Sequence, residues 1–269
     1  MRLTDEYIVL PHTKVRLSDH DPGRTIGVDD KEDAHERLEE NRERLAQLQY
    51  MLYAESKKAL LVILQAMDAG GKDGVIRHVM TGMNPQQCRV TSFKEPTPDE
   101  LAHDFLWRIH KRVPRRGEVG VFNRSHYEDV LVVRVHGLAP ESVWRGRYEQ
   151  INAFEKMLAE NDVRILKFYL HISKEEQKER LLDRIKTPHK NWKVNEGDFT
   201  KRKYWDDYMR AYEEAIGRCS TEWAPWFIIP ANKKWYRNVA VSRILIETLE
   251  DMKVKFPPPM PGLSEITID

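Results

Sequence analysis

The chain has 269 residues, 41% hydrophobic and 32% charged, with a formal net charge of +1. That balance argues against a globally basic nucleic-acid binder, so a polyanion would have to meet locally concentrated charge. No stretch approaches roughly 18 uninterrupted apolar residues, and the first ten residues lack a basic start followed by an apolar run. Neither a membrane partner nor a secretory leader is expected. Cys88 and Cys219 have no metal-ligand spacing and suit a reducing cytoplasm.

In chain order, residues 1–28 read as an irregular N-terminal arm rich in turn residues (Pro11, Asp19, Asp21, Pro22, Gly23). Residues 29–57 read as a long charged helix with Leu38, Leu45, Leu48 and Leu52 on one stripe. Ala59–Gln65 is a near-continuous apolar run, as in a strand buried on both faces. A glycine-rich turn follows, then a helix from about Lys72 to Met83. Cys88–Phe93 is a strand candidate, Pro98–Val113 is helical in pattern, and Val119–Phe122 is a short strand. Residues 141–160 read as a helix and Val163–Ile172 as a strand. Ser173, with Glu176 three residues on, predicts a capping box. Gly197–Arg218 reads as helical, Trp226–Ile229 as the last strand, followed by a helix to about Lys253. The tail from Phe256 to Asp269 holds four prolines and should be extended. Strand–helix alternation implies an α/β fold with a parallel sheet, helices on both faces, and a site at the carboxyl ends of the strands.

The turn after the first strong strand is Ala66-Met67-Asp68-Ala69-Gly70-Gly71-Lys72-Asp73-Gly74. It is close to G-x-x-x-x-G-K-[ST], with Ala66 at the first glycine position and Asp73 at the Ser/Thr position. Backbone N–H groups from Ala69 to Gly74 would form an anion nest at a helix N-terminus, and Lys72 would add a mobile charge. This points to phosphoryl transfer. Two acids in a phosphate cradle imply a bridging cation, Mg²⁺, with Asp68 favoured over Asp73 as its ligand.

The segment Val119-Gly120-Val121-Phe122-Asn123-Arg124-Ser125-His126-Tyr127-Glu128-Asp129 ends a strand where a Walker B carboxylate would stand. Asn123 is neutral there, and Arg124 supplies a planar fork for phosphate oxygens. Glu128 is either a helix-start acid or a functional one. From Lys178 to Lys203 there are nine Lys/Arg against four acids, including Arg180 and Arg184 on one helix face and Lys190 and Lys193 in a loop. That is the make-up of a basic lid. Arg108, Lys111, Arg112, Arg115 and Arg116 form a second cluster, and either run could instead be a solvated face. His103 and His110 have no metal-site spacing. Tyr204, Trp205, Tyr208 and Tyr212 suit a core helix face, and Trp192 in the lid loop is a candidate for stacking on a base.

Ala66–Gly74 resembles the Walker A loop of the family-2 polyphosphate kinases. Phe122–Val130 resembles their Walker B segment, and Lys190–Lys193 with Tyr204–Tyr208 resembles their lid and the helix after it. The resemblance implies a three-layer α/β/α P-loop kinase fold with a parallel central sheet and a helical basic lid at about 178–203. The phosphotransferase domain would span 29–255, with a Pro-rich tail at 256–269. It implies reversible, Mg²⁺-dependent transfer of the terminal phosphate of inorganic polyphosphate to a nucleotide, AMP to ADP or ADP to ATP, by a cytoplasmic homo-oligomer, a dimer or tetramer. Asp68, Lys72 and Arg124 would be catalytic. Arg180 and Arg184 would be lid arginines, and Arg108 would precede the Walker B strand as a phosphate contact. Most members carry Asp at the position of Asn123. Here Asn123 and Glu128 resemble the subgroup that accepts both nucleoside mono- and diphosphates, and would contact the nucleotide. Two other activities fit the residues alone: an ATP-dependent nucleotide-monophosphate kinase, and a polyanion-binding module without turnover.

Overall fold

Seven consecutive buried residues, Ala59–Gln65, form strand β2 at the centre of a six-stranded sheet, covered on both faces. A computed structural model describes residues 2–194, 196–262 and 266. The side chains of Glu196 and Asp198, two lid acids, and most of the tail beyond Gly262 lie outside the described residues.

The strands are β1 (Ile8–Val9), β2, β3 (Cys88–Ser92), β4 (Val119–Asn123), β5 (Val163–His171) and β6 (Trp226–Pro230), in the order β1-β6-β5-β2-β4-β3. All pairings are parallel except β1 against β6. Leu64 pairs with Asn123 on one side and Phe168 on the other. The chain runs from β2 out to β3 and β4, then crosses to β5 and β6. That reversal opens a crevice beyond the carboxyl end of β2, where doubly wound folds bind ligands. The helices are α1 (Leu3–Tyr7), α2 (Lys31–Glu55), α3 (Lys72–Val79), α4 (Pro98–Leu101), α5 (Trp107–His110), α6 (Val132–Val135), α7 (Glu141–Glu160), α8 (Lys174–Lys186), α9 (Glu196–Lys201), α10 (Trp205–Cys219) and α11 (Lys234–Asp251). Helices α2, α3 and α11 pack together, as do α6, α7 and α10.

Four expectations need correction. The arm is not irregular: it forms α1 and β1 and buries Tyr7, Val9, Val15 and Leu17. The segment 98–113 is two short helices, because the Asp104 carboxylate accepts the Leu106 N–H at 3.0 Å and competes with the helical ladder. The capping box at Ser173 is only half formed. Ser173 Oγ accepts the Glu176 N–H at 3.1 Å, but Asn232 Oδ1 takes the Ser173 N–H and Glu176 turns to Arg180. A reciprocal box occurs instead at Thr97 and Glu100. The helix expected over 197–218 is broken into α9, a 3₁₀ turn at Arg202–Tyr204, and α10.

Candidate active site

The phosphate loop leaves β2 at Ala66 and tightens through a turn in which the Gly70 N–H donates to Met67 C=O at 2.9 Å. Ala69 and Gly71 both have left-handed φ, 63° and 107°. The N-terminus of α3 begins at Lys72 with no side-chain cap, so its first-turn N–H groups are available to an anion. Lys72 is buried, and its Nζ donates to Ala66 C=O at 2.8 Å. Burial above all, then Arg124, pushes its ammonium down to about 8.

Asp68 carries two ion pairs, with Arg124 Nη2 at 2.9 Å and Lys201 Nζ at 3.3 Å. Burial works to raise its carboxyl, yet Lys72, Arg124 and Lys201 together hold it below the usual carboxylate range. Arg124 follows β4 with φ 63°, a strained setting for a side chain that bears a Cβ. Its N–H donates to Leu64 C=O, and its guanidinium also lies 3.7 Å from Glu128. Asn123 Nδ2 donates to Asp73 Oδ1 at 2.7 Å, joining the end of β4 to the loop.

Beneath this segment, Lys167 Nζ meets Glu155 at 2.5 Å, Tyr127 Oη at 2.9 Å and Cys219 C=O at 2.6 Å, and Glu155 also holds His126. The network is fully buried and anchors the turn carrying Arg124 and Glu128.

Two openings flank Asp68. A cavity of about 750 Å³ lies over the loop from Ala69 to Gly74, and among the described residues ten lysines and arginines line it against four acids. A narrow cleft, about 20 Å³, lies beside Glu128, Tyr208 and Tyr212. Asp68, Arg124 and Lys201 line both openings. Arg184, Lys190 and Lys193 reach the large cavity from the lid, with Lys190 paired to Asp183 at 2.7 Å.

Two residues expected as phosphate contacts are held by protein partners. All five N–H donors of Arg180 are spent, on Glu176 and the carbonyls of Ala69, Gly70, Ala231 and Asn232. It lines the cavity but acts as a clasp that holds the loop's backbone. Arg108 Nη1 donates to Lys94 C=O at 2.9 Å and meets Glu100 at 3.3 Å, its guanidinium lies over Phe93, and it does not line the cavity. Tyr208 and Tyr212 are buried as expected of a core face, yet they also border the cleft. Trp192 is exposed. Sequence reasoning missed Lys94, Lys234 and Arg237 on the cavity wall, and counted Lys201 in the lid without assigning it a site role. Lys94 and Lys234 follow the ends of β3 and β6, where the fold rule already directed attention, whereas Arg237 lies inside α11.

The oxygen donors Asp68, Asp73 and Asn123 suit a hard cation. Among the described residues no group of three or more His, Cys, Asp or Glu could hold a metal. Mg²⁺ ordinarily takes one or two carboxylates plus water and substrate phosphates, so the donor set fits it.

Residues 28–257 match the family model described as Polyphosphate kinase 2. The chain is 52% identical over 265 residues to an AMP/ADP-polyphosphate phosphotransferase of Meiothermus ruber, covering 98% of this chain and 99% of that one. It is 49% identical to an ADP-polyphosphate phosphotransferase of Rhodopseudomonas palustris, over 86% and 84% of the two chains. The crystal structure of polyphosphate kinase 2 from Arthrobacter aurescens superposes with a TM-score of 0.95 at 45% identity, covering 98% of this chain and 95% of that one.

Proposed function

The chain belongs to the polyphosphate kinase 2 family, and from that premise we propose that it moves the terminal phosphoryl group of inorganic polyphosphate to AMP or ADP, reversibly. One observation carries the assignment of sites. Asp68, Arg124 and Lys201 form a common wall between a large basic cavity and a cleft bearing Glu128. A long polyanion suits the basic cavity, and the acceptor phosphate suits the cleft. At about 20 Å³ the cleft holds no more than a water, so acceptor binding requires the Lys201 segment of the lid to move.

In the forward reaction an oxygen of the nucleotide's terminal phosphate attacks the terminal phosphorus of polyphosphate. A new P–O bond forms, the bridging P–O bond breaks, and the shortened chain keeps the charge on its new terminal oxygen. The attacking oxygen is already ionised near neutral pH, so no strong general base is needed. The loop N–H groups and Lys72 hold the donor phosphates, and Arg124 bridges donor and acceptor oxygens across the wall. Asp68, with Asp73 and Asn123 nearby, would hold Mg²⁺, which supplies charge neutralisation when bound. Glu128 orders the acceptor phosphate through its contact with Arg124 and sets the preference between AMP and ADP.

Residues 29–255 would form the phosphotransferase unit with the lid at about 178–203 inside it, acting in the cytoplasm. Among the described residues no helix is long and apolar enough to cross a membrane. Exposed Tyr50, Tyr53 and Phe256 offer a face for self-association into a dimer or tetramer. The test is to mix the protein with Mg²⁺, AMP or ADP, and polyphosphate, and separate the nucleotides by chromatography. ATP from ADP, and ADP from AMP, should form only with polyphosphate present. Products that require ATP as donor would make it a nucleotide-monophosphate kinase, and salt-sensitive binding without products would make it a binding module.

A further inference from the structure

Two uncapped helix N-termini open onto the large cavity, α3 at Lys72 and α11 at Lys234. The reaction uses the first. The second carries Arg237 one turn in, and this residue is 2% exposed. Its Nε and Nη2 both donate to Asn238 Oδ1, at 3.1 and 2.7 Å. Its Nη1 lies against the phosphate loop: a Cβ on Gly71 would stand 1.9 Å from it, and one on Gly74 would stand 2.7 Å from Nη2. Among the described residues no carboxylate pairs with Arg237, and the neighbouring Arg180, a cation, acts against its charge. Burial chiefly, with Arg180, pushes it down to about 9. Lys234 stands on the same cavity wall, and burial together with Arg180 lowers its ammonium as well. A buried cation without an anion is costly to the fold. If shaping the loop were its only task, a neutral side chain of the same length would do it at lower cost.

We propose that Arg237 and Lys234 form a second anion subsite on the donor side, which binds a phosphoryl unit of polyphosphate beyond the one transferred. This rests on the reading of the large cavity as the donor site. The chain then spans from the loop and Lys72 to the N-terminus of α11, and donors too short to reach α11 bind on the loop alone. The subsite makes the enzyme prefer long chains, and it contributes to donor binding rather than to the chemical step.

The test measures binding directly, without nucleotide, by calorimetric titration with long-chain polyphosphate, tripolyphosphate and inorganic phosphate. Wild type is compared with Arg237→Met, Arg237→Lys and Lys234→Gln. Losing a charge-assisted contact should weaken long-chain binding at least about tenfold in Arg237→Met and several-fold in Lys234→Gln. Tripolyphosphate should weaken less than about threefold, with Arg237→Lys in between. KM for long chains should rise with kcat nearly unchanged. Long-chain affinity within about twofold of wild type in folded Arg237→Met and in Lys234→Gln would overturn the proposal. An equal loss for long chains and tripolyphosphate would also overturn it, since that marks a distorted loop. The same sensitivity with inorganic phosphate would make the subsite one for free phosphate and overturn the chain-length claim. If Arg237→Met does not fold, Lys234, on the cavity wall, decides alone. A wild-type protein that binds no polyphosphate at all would defeat the donor reading itself.

Discussion

Replacing Lys72 by methionine should stabilise the ligand-free protein while removing its activity. Lys72 is buried, and its folded-state pKa is about 8 against an ordinary 10.5. That depression corresponds to about 3 kcal/mol of folding free energy. Because the folded-state value is depressed, the folded protein releases this proton before the unfolded chain does. The cost is fully present below pH 8 and is relieved as pH rises from 8 to 10.5. Methionine keeps the length and removes the charge, but it also removes the largest electrostatic support for the Asp68 carboxylate. Arg124 and Lys201 still hold Asp68, so the net gain at pH 7 should be about 1–3 kcal/mol, or about 2–6 °C in Tm. Loss of a positioned cation on the donor phosphates should lower kcat about 10²–10³-fold. Thermal unfolding without ligand at pH 7 and pH 10, with initial rates at pH 7, measures both. The variant's gain over wild type should shrink at the higher pH. A Lys72→Met protein that is less stable than wild type at pH 7, or that keeps activity within tenfold, would refute this reasoning.

Glu128→Asn removes a carboxylate 3.7 Å from Arg124 and should shift the AMP-to-ADP rate ratio by about fivefold or more, measured from initial rates with each acceptor; an unchanged ratio takes Glu128 out of acceptor choice. Lys167→Met takes the ammonium from the buried Glu155 carboxylate, leaving it only His126 and Tyr127, and should cost about 3–5 kcal/mol in urea unfolding, while Lys167→Met combined with Glu155→Leu should recover part of that loss. Gly71→Ala puts a Cβ at φ 107° into the Arg237 guanidinium and should destabilise by about 2 kcal/mol or more, with a matching loss of polyphosphate affinity by titration.

The sheet was legible in the sequence because β2, β4, β5 and β6 are apolar runs bounded by turn chemistry, and burial on both faces leaves that mark whatever the neighbours are. The arm's strand was not legible: two residues, Ile8 and Val9, carry no period, and only β6 makes them a strand. The loop, Lys72, Asp68 and Arg124 could be read because their spacing is local and sits between a strand and a helix. The partners that hold Arg180 and Arg108, backbone carbonyls with Glu176 or Glu100, were not legible because they leave no trace in spacing. Arg237 was missed for the opposite reason. It lies 163 positions after Gly74 in the sequence, and only the packing of α11 on α3 brings it to the loop.

In the proposed reaction donor and acceptor occupy different openings on either side of Asp68, Arg124 and Lys201. A crystal structure of the protein with ADP and polyphosphate tests it most directly. Polyphosphate should run through the basic cavity over Gly70–Gly74, and the nucleotide's terminal phosphate should lie beside Arg124 and Glu128, with Lys201 displaced from Asp68. A nucleotide triphosphate-type pose with ADP phosphates seated on the Gly70–Gly74 loop and no polyphosphate in that cavity would contradict it.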